Sequence, residues 1–334
     1  MLLEMTLYTG PCAAQNQLQE TPAHPAEQCQ ALYQRRQAPS MFLRGLFLVA
    51  CVRSPVASAD AVESGQASRA ETCGEGITIT MATPVTPRPA ATCVLMRPHT
   101  GNDAGEGVEV FMVRRHIQSE FAPDVYVFPG GSVNAGDRLA EEAPGLCIPA
   151  ADDPLGEGFH VAALRECFEE AGVLLAWRDG APLTIDEGDL ARFTAYRDAL
   201  QRRDLTMETL AERERLTFAT DALTHWAHWI TPEAFPKRFD THFYLAEMPA
   251  SQEAAYDHLE TTDGVWITPE AASAGHEHGD FPLVFAQIHQ LRELHGLRSV
   301  SDARARFAGR LPRTIMPRVV ERGGAQVILL PDEA

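Results

Sequence analysis

The 334-residue sequence has no Cys-x-x-Cys pair, no internal repeat and no apolar run of the ~18 residues that cross a bilayer. It also has far too few basic residues to balance its acids. Each absence excludes something. The seven cysteines (Cys12, Cys29, Cys51, Cys73, Cys93, Cys147 and Cys167) are scattered and odd in number. That pattern fits neither a zinc knuckle nor a disulfide framework, and reads as reduced thiols in a cytoplasmic protein. With Lys+Arg at 28 and Asp+Glu at 46, the formal net charge is −18. Such a surface suits neither nucleic acid nor an anionic membrane, so neither is expected as a partner. An anionic small molecule would be repelled at long range unless cations or local arginines intervene.

Hydrophobic residues make up 45% and charged residues 22% of the chain, as in an ordinary globular protein long enough to bury a large core. The segment Met41–Ala61 imitates a secretory signal, with an arginine, a short apolar core and a small-residue exit. It begins forty residues into the chain, however, and Arg53 interrupts its apolar core. Residues 1–80 are therefore expected to be a poorly ordered extension, with Met81 the natural start of one folded domain, 81–334.

From Ala90 the character changes. "ATCVLMR" and "VEVFMVRR" are apolar and β-branched runs around a glycine-rich turn, which predicts a hairpin with a long loop. "DVYVFPGG" predicts a third strand ending in a Pro-Gly-Gly break, and residues 136–158 read as a loop. A helix from about Gly158 to Ala171 follows, closed by Gly172. Beyond it, "VLLAW", "LTHWAHWIT", "FDTHFYLAEM" and "GVWIT" predict strands. "DLARFTAYRDALQRR", "METLAERERL", "PLVFAQIHQLRELH" and "SDARARFAG" predict helices, and "TIMPRVVER" with "QVILLP" predicts a terminal strand pair. Strands and helices interleave without regular alternation, which indicates α+β or an α/β/α sandwich.

The helix "HVAALRECFEEA" carries the chemistry. At ~100° per residue, Glu166, Glu169 and Glu170 share a sector of about 100°, opposite Val161, Leu164, Phe168 and Ala171. Carboxylates that close repel one another. A divalent cation with a taste for hard oxygen ligands would relieve the repulsion, and Arg165 can pair with Glu169 one turn on. His225 and His228, three apart in an extended run, should point to opposite faces and make a poor chelate. His276 and His278 fall in an expected loop. Trp226 and Trp229 are expected in the core or in a pocket wall.

"FPGGSVNAGD", Phe128 to Asp137, together with "RECFEEAGV", Arg165 to Val173, resembles the signature of the nudix hydrolase superfamily: Gly, five residues, Glu, seven residues, then Arg-Glu-U-x-Glu-Glu-x-Gly-U, U being bulky and apolar. The second half matches throughout. In the first half Asp137 replaces Glu, and twenty-seven residues rather than seven separate it from Arg165. The split box, with "TPEAFPKRFDT", is similar to the subgroup containing peroxisomal-type coenzyme A diphosphatases. The terminal Asp-Glu-Ala lends no support to a peroxisomal address.

The resemblance implies a nudix-type α/β/α sandwich with a mixed sheet and insertions at about 138–158 and 185–216. It also implies Mg²⁺- or Mn²⁺-dependent hydrolysis of a nucleoside diphosphate linked to another group, coenzyme A or acyl-CoA being the leading substrate. Glu166, Glu169 and Glu170 would be metal ligands, two of them (Glu166 and Glu169) also catalytic, with Arg165 orienting them and the Gly131 carbonyl as a further ligand. A later acid is expected near a tryptophan-containing strand: Glu260 first, Asp263 second. Arg114, Arg115 and Arg238 are the leading candidates to bind substrate phosphate, with Lys237 and Arg318 behind them. ADP-ribose, NADH or a dinucleoside polyphosphate remain open as substrates, as does a nudix-like domain that binds without cleaving. The oligomeric state stays undetermined.

Overall fold

The computed structural model describes residues 84–99, 107–119, 121–150 and 153–333. The expectations for residues 1–80, including the extension and the signal-like segment, lie outside them.

A mixed eight-stranded sheet organises the chain, in the order β10 (Thr261–Ile267), β2 (Val108–Arg115), β1 (Arg88–Pro98), β9 (Phe239–Glu247), β8 (Thr224–Ile230) and β11 (Thr314–Ile315), with β3 (Tyr126–Val127) on β2 and β4 (Gly130–Ser132) on β1. Its centre is β1 (Arg88–Pro98), paired antiparallel to β2 (Val108–Arg115) and parallel to β9 (Phe239–Glu247). These strands are apolar on both sides because both faces are covered. Ala91, Cys93, Leu95, Phe111, Val113 and Tyr244 enter one core; Val94, Met96, Val110, Met112, Phe243 and Leu245 enter the other.

The first core is capped by α2 (Phe159–Ala171), α3 (Glu187–Gln201) and α4 (Met207–Glu214). The second is capped by α5 (Pro269–His278), α6 (Phe285–Glu293) and α7 (Val300–Phe307). This is the α/β/α sandwich with a mixed sheet that the sequence indicates. Among the described residues no helix is long and apolar enough to cross a membrane. Cys93, Cys147 and Cys167 are free thiols, and Trp226 and Trp229 are core residues.

Four local expectations need correction. The third strand is two short ones, β3 (Tyr126–Val127) and β4 (Gly130–Ser132), separated at Pro129. Residues 136–158 are not simply a loop, since α1 (Ala135–Glu142) lies there behind a capping box between Asn134 and Asp137. His276 and His278 close α5 instead of lying in a loop. In β8 (Thr224–Ile230) the register against β9 shifts between His225 and Ala227, so Trp226 is an extra residue. That bulge turns His225 onto the face of His228, and both lie against His242. The opposite-face expectation held only for a regular strand.

The insertion also secures the N-terminus of α2. Gly158, at the N-cap, offers no side chain, and the first turn would leave its N–H groups unsatisfied. The buried Glu141 carboxylate, delivered by α1, accepts from the N–H groups of Gly156, Gly158, His160 and Val161 at 2.7–3.0 Å. Burial opposes its charge, but the His160 ring and these N–H groups outweigh burial and pull its pKa down to about 2. His160 lies 3.0 Å from Asp153 through Nε2 and 3.6 Å from Glu141 through Nδ1. Burial would lower its pKa, yet the two carboxylates raise it to about 9.

The sign of the pH dependence follows. Folded His160 keeps its proton up to about pH 9, whereas an unfolded imidazole releases it near 6.5. Its stabilisation is full below 6.5 and fades as pH rises through 9. Thermal melts across that window should show the loss in the wild type and a flatter profile in His160→Gln. Glu141→Ala should cost about 3 kcal/mol in denaturant unfolding at neutral pH, because His160 and four N–H groups lose their acceptor.

Candidate active site

Residue by residue, α2 explains why an acidic helix face can exist in the interior. Every position from Phe159 to Ala171 is buried except Glu169, so Glu166 and Glu170 are not solvated surface acids. Gly172, at φ 72°, ends the helix in the left-handed conformation, its N–H donating to the Phe168 carbonyl at 3.0 Å.

Arg165 sits at the middle of the cluster. Nε and Nη2 grip both oxygens of Asp137 at 2.8 and 3.0 Å. Nη1 reaches Glu166 Oε1 at 2.7 Å and Glu169 Oε2 at 3.2 Å, and Nη2 also donates to the Ser132 carbonyl at 2.9 Å. Asp137 accepts the Asn134 N–H at 2.8 Å as well, so it joins the capping box of α1 to the guanidinium. The shortened carboxylate of the split signature therefore bonds to Arg165.

β4 supplies the other wall. Gly130 N–H donates to Glu170 Oε2 at 3.0 Å. Gly131 runs so close to Glu166 that a Cβ would come within 2.6 Å of its carboxyl carbon. Only glycine lets backbone and carboxylate approach in this way.

The acidities record the crowding. Burial first, then neighbouring charge, raises all three glutamates: Glu169 to about 7, Glu166 above the usual range, Glu170 well above it. The charges of Glu260 act on Glu166 and Glu170, and that of Arg115 acts on Glu170. The loop carrying Glu260 is set by Asp257, which accepts from the N–H groups of Leu259, Glu260 and Thr261. Gln201 in α3 bonds both Asp257 and the Glu169 carbonyl, and Arg197 bonds the carbonyls of Glu169 and Ala255.

The residues brought together are thus Gly131, Asp137, Arg165, Glu166, Glu169, Glu170, Glu260 and Arg115. Asp263 lies elsewhere, accepting from Tyr126 Oη at 2.7 Å. Arg114 is paired with Asp124 at 2.8 Å. Arg238 needs correction as a substrate ligand. It is buried, with its guanidinium spent on the carbonyls of Thr231 and Val85 and on Met316 Sδ, so it clamps chain segments together.

Sequence reasoning missed Glu141, Arg197, Gln201 and Asp257. Their spacing from α2 carries no local signal, and only tertiary contact joins them to it. The donor set of the cluster is all hard oxygen, which suits a divalent cation such as Mg²⁺ or Mn²⁺ and not a soft metal.

The fold has counterparts. A family model described as the NUDT19 Nudix domain matches residues 148–294, downstream of Gly131 and Asp137. The putative nudix hydrolase 7 of Caenorhabditis elegans is 29% identical over 223 residues, covering 66% of this chain and 66% of that protein. The Homo sapiens protein named acyl-coenzyme A diphosphatase NUDT19 is 27% identical over 270 residues, 68% of this chain and 72% of its own length. The match therefore spans about two thirds of the length of these curated relatives. The crystal structure of a nudix hydrolase from Alicyclobacillus acidocaldarius is 26% identical, with a TM-score of 0.56, covering 68% of this chain and 99% of that one.

Two outcomes test the cluster as a cation site. Mg²⁺ added to EDTA-treated protein should raise its melting temperature, by roughly 2–6 °C at saturation, and Glu170→Gln should remove most of that gain. Gly131→Ala should lose the gain too, since its methyl group displaces the Glu166 carboxylate; an unchanged Mg²⁺ response in either variant would contradict the assignment.

Proposed function

Because the chain belongs to the nudix hydrolase superfamily, we propose that it is a divalent-cation-dependent diphosphatase acting on coenzyme A or an acyl-coenzyme A. The products are adenosine 3′,5′-bisphosphate and 4′-(acyl)phosphopantetheine. The substrate class is supported by the relative named acyl-coenzyme A diphosphatase and by the interrupted signature. The observation that carries the chemistry is the set of buried glutamates on α2 facing the Gly130–Gly131 backbone, with Glu260 arriving from a later loop.

Glu166, Glu169 and Glu170 would hold the cation, Mg²⁺ or Mn²⁺, with Glu260 and the Gly131 carbonyl as further candidate ligands. When bound, the ion neutralises diphosphate charge and acidifies a coordinated water. Water attacks one phosphorus and the bridging P–O bond breaks, which leaves two phosphate monoesters. Glu169, the least buried of the three, takes the water's proton on its carboxylate. Arg165 keeps Glu166 and Glu169 at a fixed separation, so orientation is set before substrate arrives. Arg115, whose charge already reaches Glu170, offsets the charge of the substrate phosphates on that side. Arg114 is its neighbour on β2 and a secondary contact once Asp124 releases it.

The full chain incubated with Mg²⁺ and coenzyme A, acyl-coenzyme A, ADP-ribose, NADH or a dinucleoside polyphosphate, with products resolved by chromatography, decides the substrate. The bisphosphate should appear fastest from the coenzyme A compounds. Glu169→Gln and Glu170→Gln should lower kcat by roughly 10²–10⁴-fold while both variants remain folded. A higher kcat/KM on ADP-ribose would shift the substrate and keep the mechanism. Full turnover in both variants would overturn the mechanism itself.

A further inference from the structure

On the same face of the sheet, two strands away from Gly131, lies a second cluster with different chemistry. Gly131 is paired with Ala91 on β1, and Ala91 with His242 on β9. His242 faces His228 across the β8–β9 pair. Asp240 lies two residues before His242, on the same side of β9. The ligand atoms of His228, Asp240 and His242 all lie within 4.8 Å of one another.

The surroundings of these side chains are what a metal centre needs. His228 turns Nε2 to Asp240 Oδ1, while its Nδ1 is held at 2.8 Å by Thr314 Oγ1 from β11 (Thr314–Ile315). His242 has Nδ1 at 3.0 Å from His225 Nε2. Each imidazole thus has its Nδ1 fixed by an outer partner, which leaves Nε2 as the ligating atom, an arrangement typical of metal-bound histidine. The bulge at Trp226 is what brings His225 into this role. Phe159, the first residue of α2, stacks on the His242 ring at 4.0 Å and limits its rotation. The Asp240 side chain is 34% exposed, so solvent and ions can reach the cluster.

We propose that His228, Asp240 and His242 form a second metal site, selective for a borderline ion such as Zn²⁺ or Co²⁺, and distinct from the hard-oxygen carboxylate cluster. Two imidazoles and one carboxylate make a poor site for Mg²⁺ and a good one for zinc, with a fourth position for water. The ion ties β8 to β9 at the end of the sheet where α2 begins. It is separate from the carboxylate cluster to which the proposed hydrolysis is assigned.

The test uses the full chain carrying Glu169→Gln and Glu170→Gln, which disables the carboxylate cluster. Co²⁺ added to this protein should produce visible d–d absorption at one equivalent, and Zn²⁺ should displace it. His228→Gln in the same background should abolish the signal, while circular dichroism shows the fold retained. Thr314→Ala, at an exposed position, should weaken Co²⁺ binding by roughly 10-fold or more. If Co²⁺ gives no stoichiometric signal, or one that His228→Gln and Asp240→Asn leave intact, the cluster is a hydrogen-bonded histidine network only and the proposal fails. Because the readout needs no turnover, it stands apart from the hydrolase assignment.

Discussion

The site depends on one buried guanidinium. Arg165 is shared among Asp137, Glu166, Glu169 and the Ser132 carbonyl, and without it α2 would carry Glu166 and Glu169 into a covered core with no cationic partner. A buried charge with no partner costs several kcal/mol. A single positive charge, however, does not neutralise four carboxylates that include Glu170, and the raised pKa values of the three glutamates express the remainder. The protein is built one step short of electrostatic balance. That shortfall of positive charge is what supports the proposed cation site, and Arg165 holds the cluster together.

The split signature no longer looks like damage to a motif. In an uninterrupted loop-helix box, the acid before the helix and the helix itself are close in sequence. Here the inserted residues form α1, whose first turn presents Asp137 to Arg165 and whose last turn presents Glu141 to the start of α2. The insertion and α2 are joined at two points by charged contacts, both buried. The second insertion, α3 with α4, does a similar service at the other end. Phe193, Leu200, Met207 and Leu210 enter the core, while Arg197 and Gln201 join the last turn of α2 to the loop of Glu260. Lengthening a connection costs little in chain entropy when the added residues pack.

What could be read in the sequence follows from the range of each signal. The helix at 159–171 declared itself through periodicity, a terminal glycine and a dense motif, all local. The hairpin and most strands follow from apolar runs of adequate length, whereas the mixed sheet follows only from the family resemblance. Glu260 comes from the family resemblance, which implies a later acid near a tryptophan-containing strand, and not from any local pattern. Harder to read were contacts set by topology: the Glu141 cap, the Asp257 turn, and the burial of Arg238 against Val85 and Met316. The histidine pair shows the limit most sharply. Alternation assigns His225 and His228 to opposite faces, and a single bulged residue reverses the conclusion.

The two clusters share a sheet face and divide ligand chemistry between them. From Gly131 to His242 is two inter-strand spacings, roughly 10 Å, and Ala91 between them is too small to bridge either side. One cluster offers carboxylates and backbone oxygen; the other offers imidazole nitrogens with one carboxylate. Hard cations therefore gain most at the first and borderline cations at the second, so each ion is sorted by donor type and not by affinity alone. Burial enforces the division. It pushes His225 down to about 4 and His242 to about 3, which leaves both rings uncharged at neutral pH, while it raises the pKa values of the glutamates. The same desolvation makes imidazole a neutral donor in one place and carboxylate a demanding one in the other. The common cause is the helix α2, which covers both.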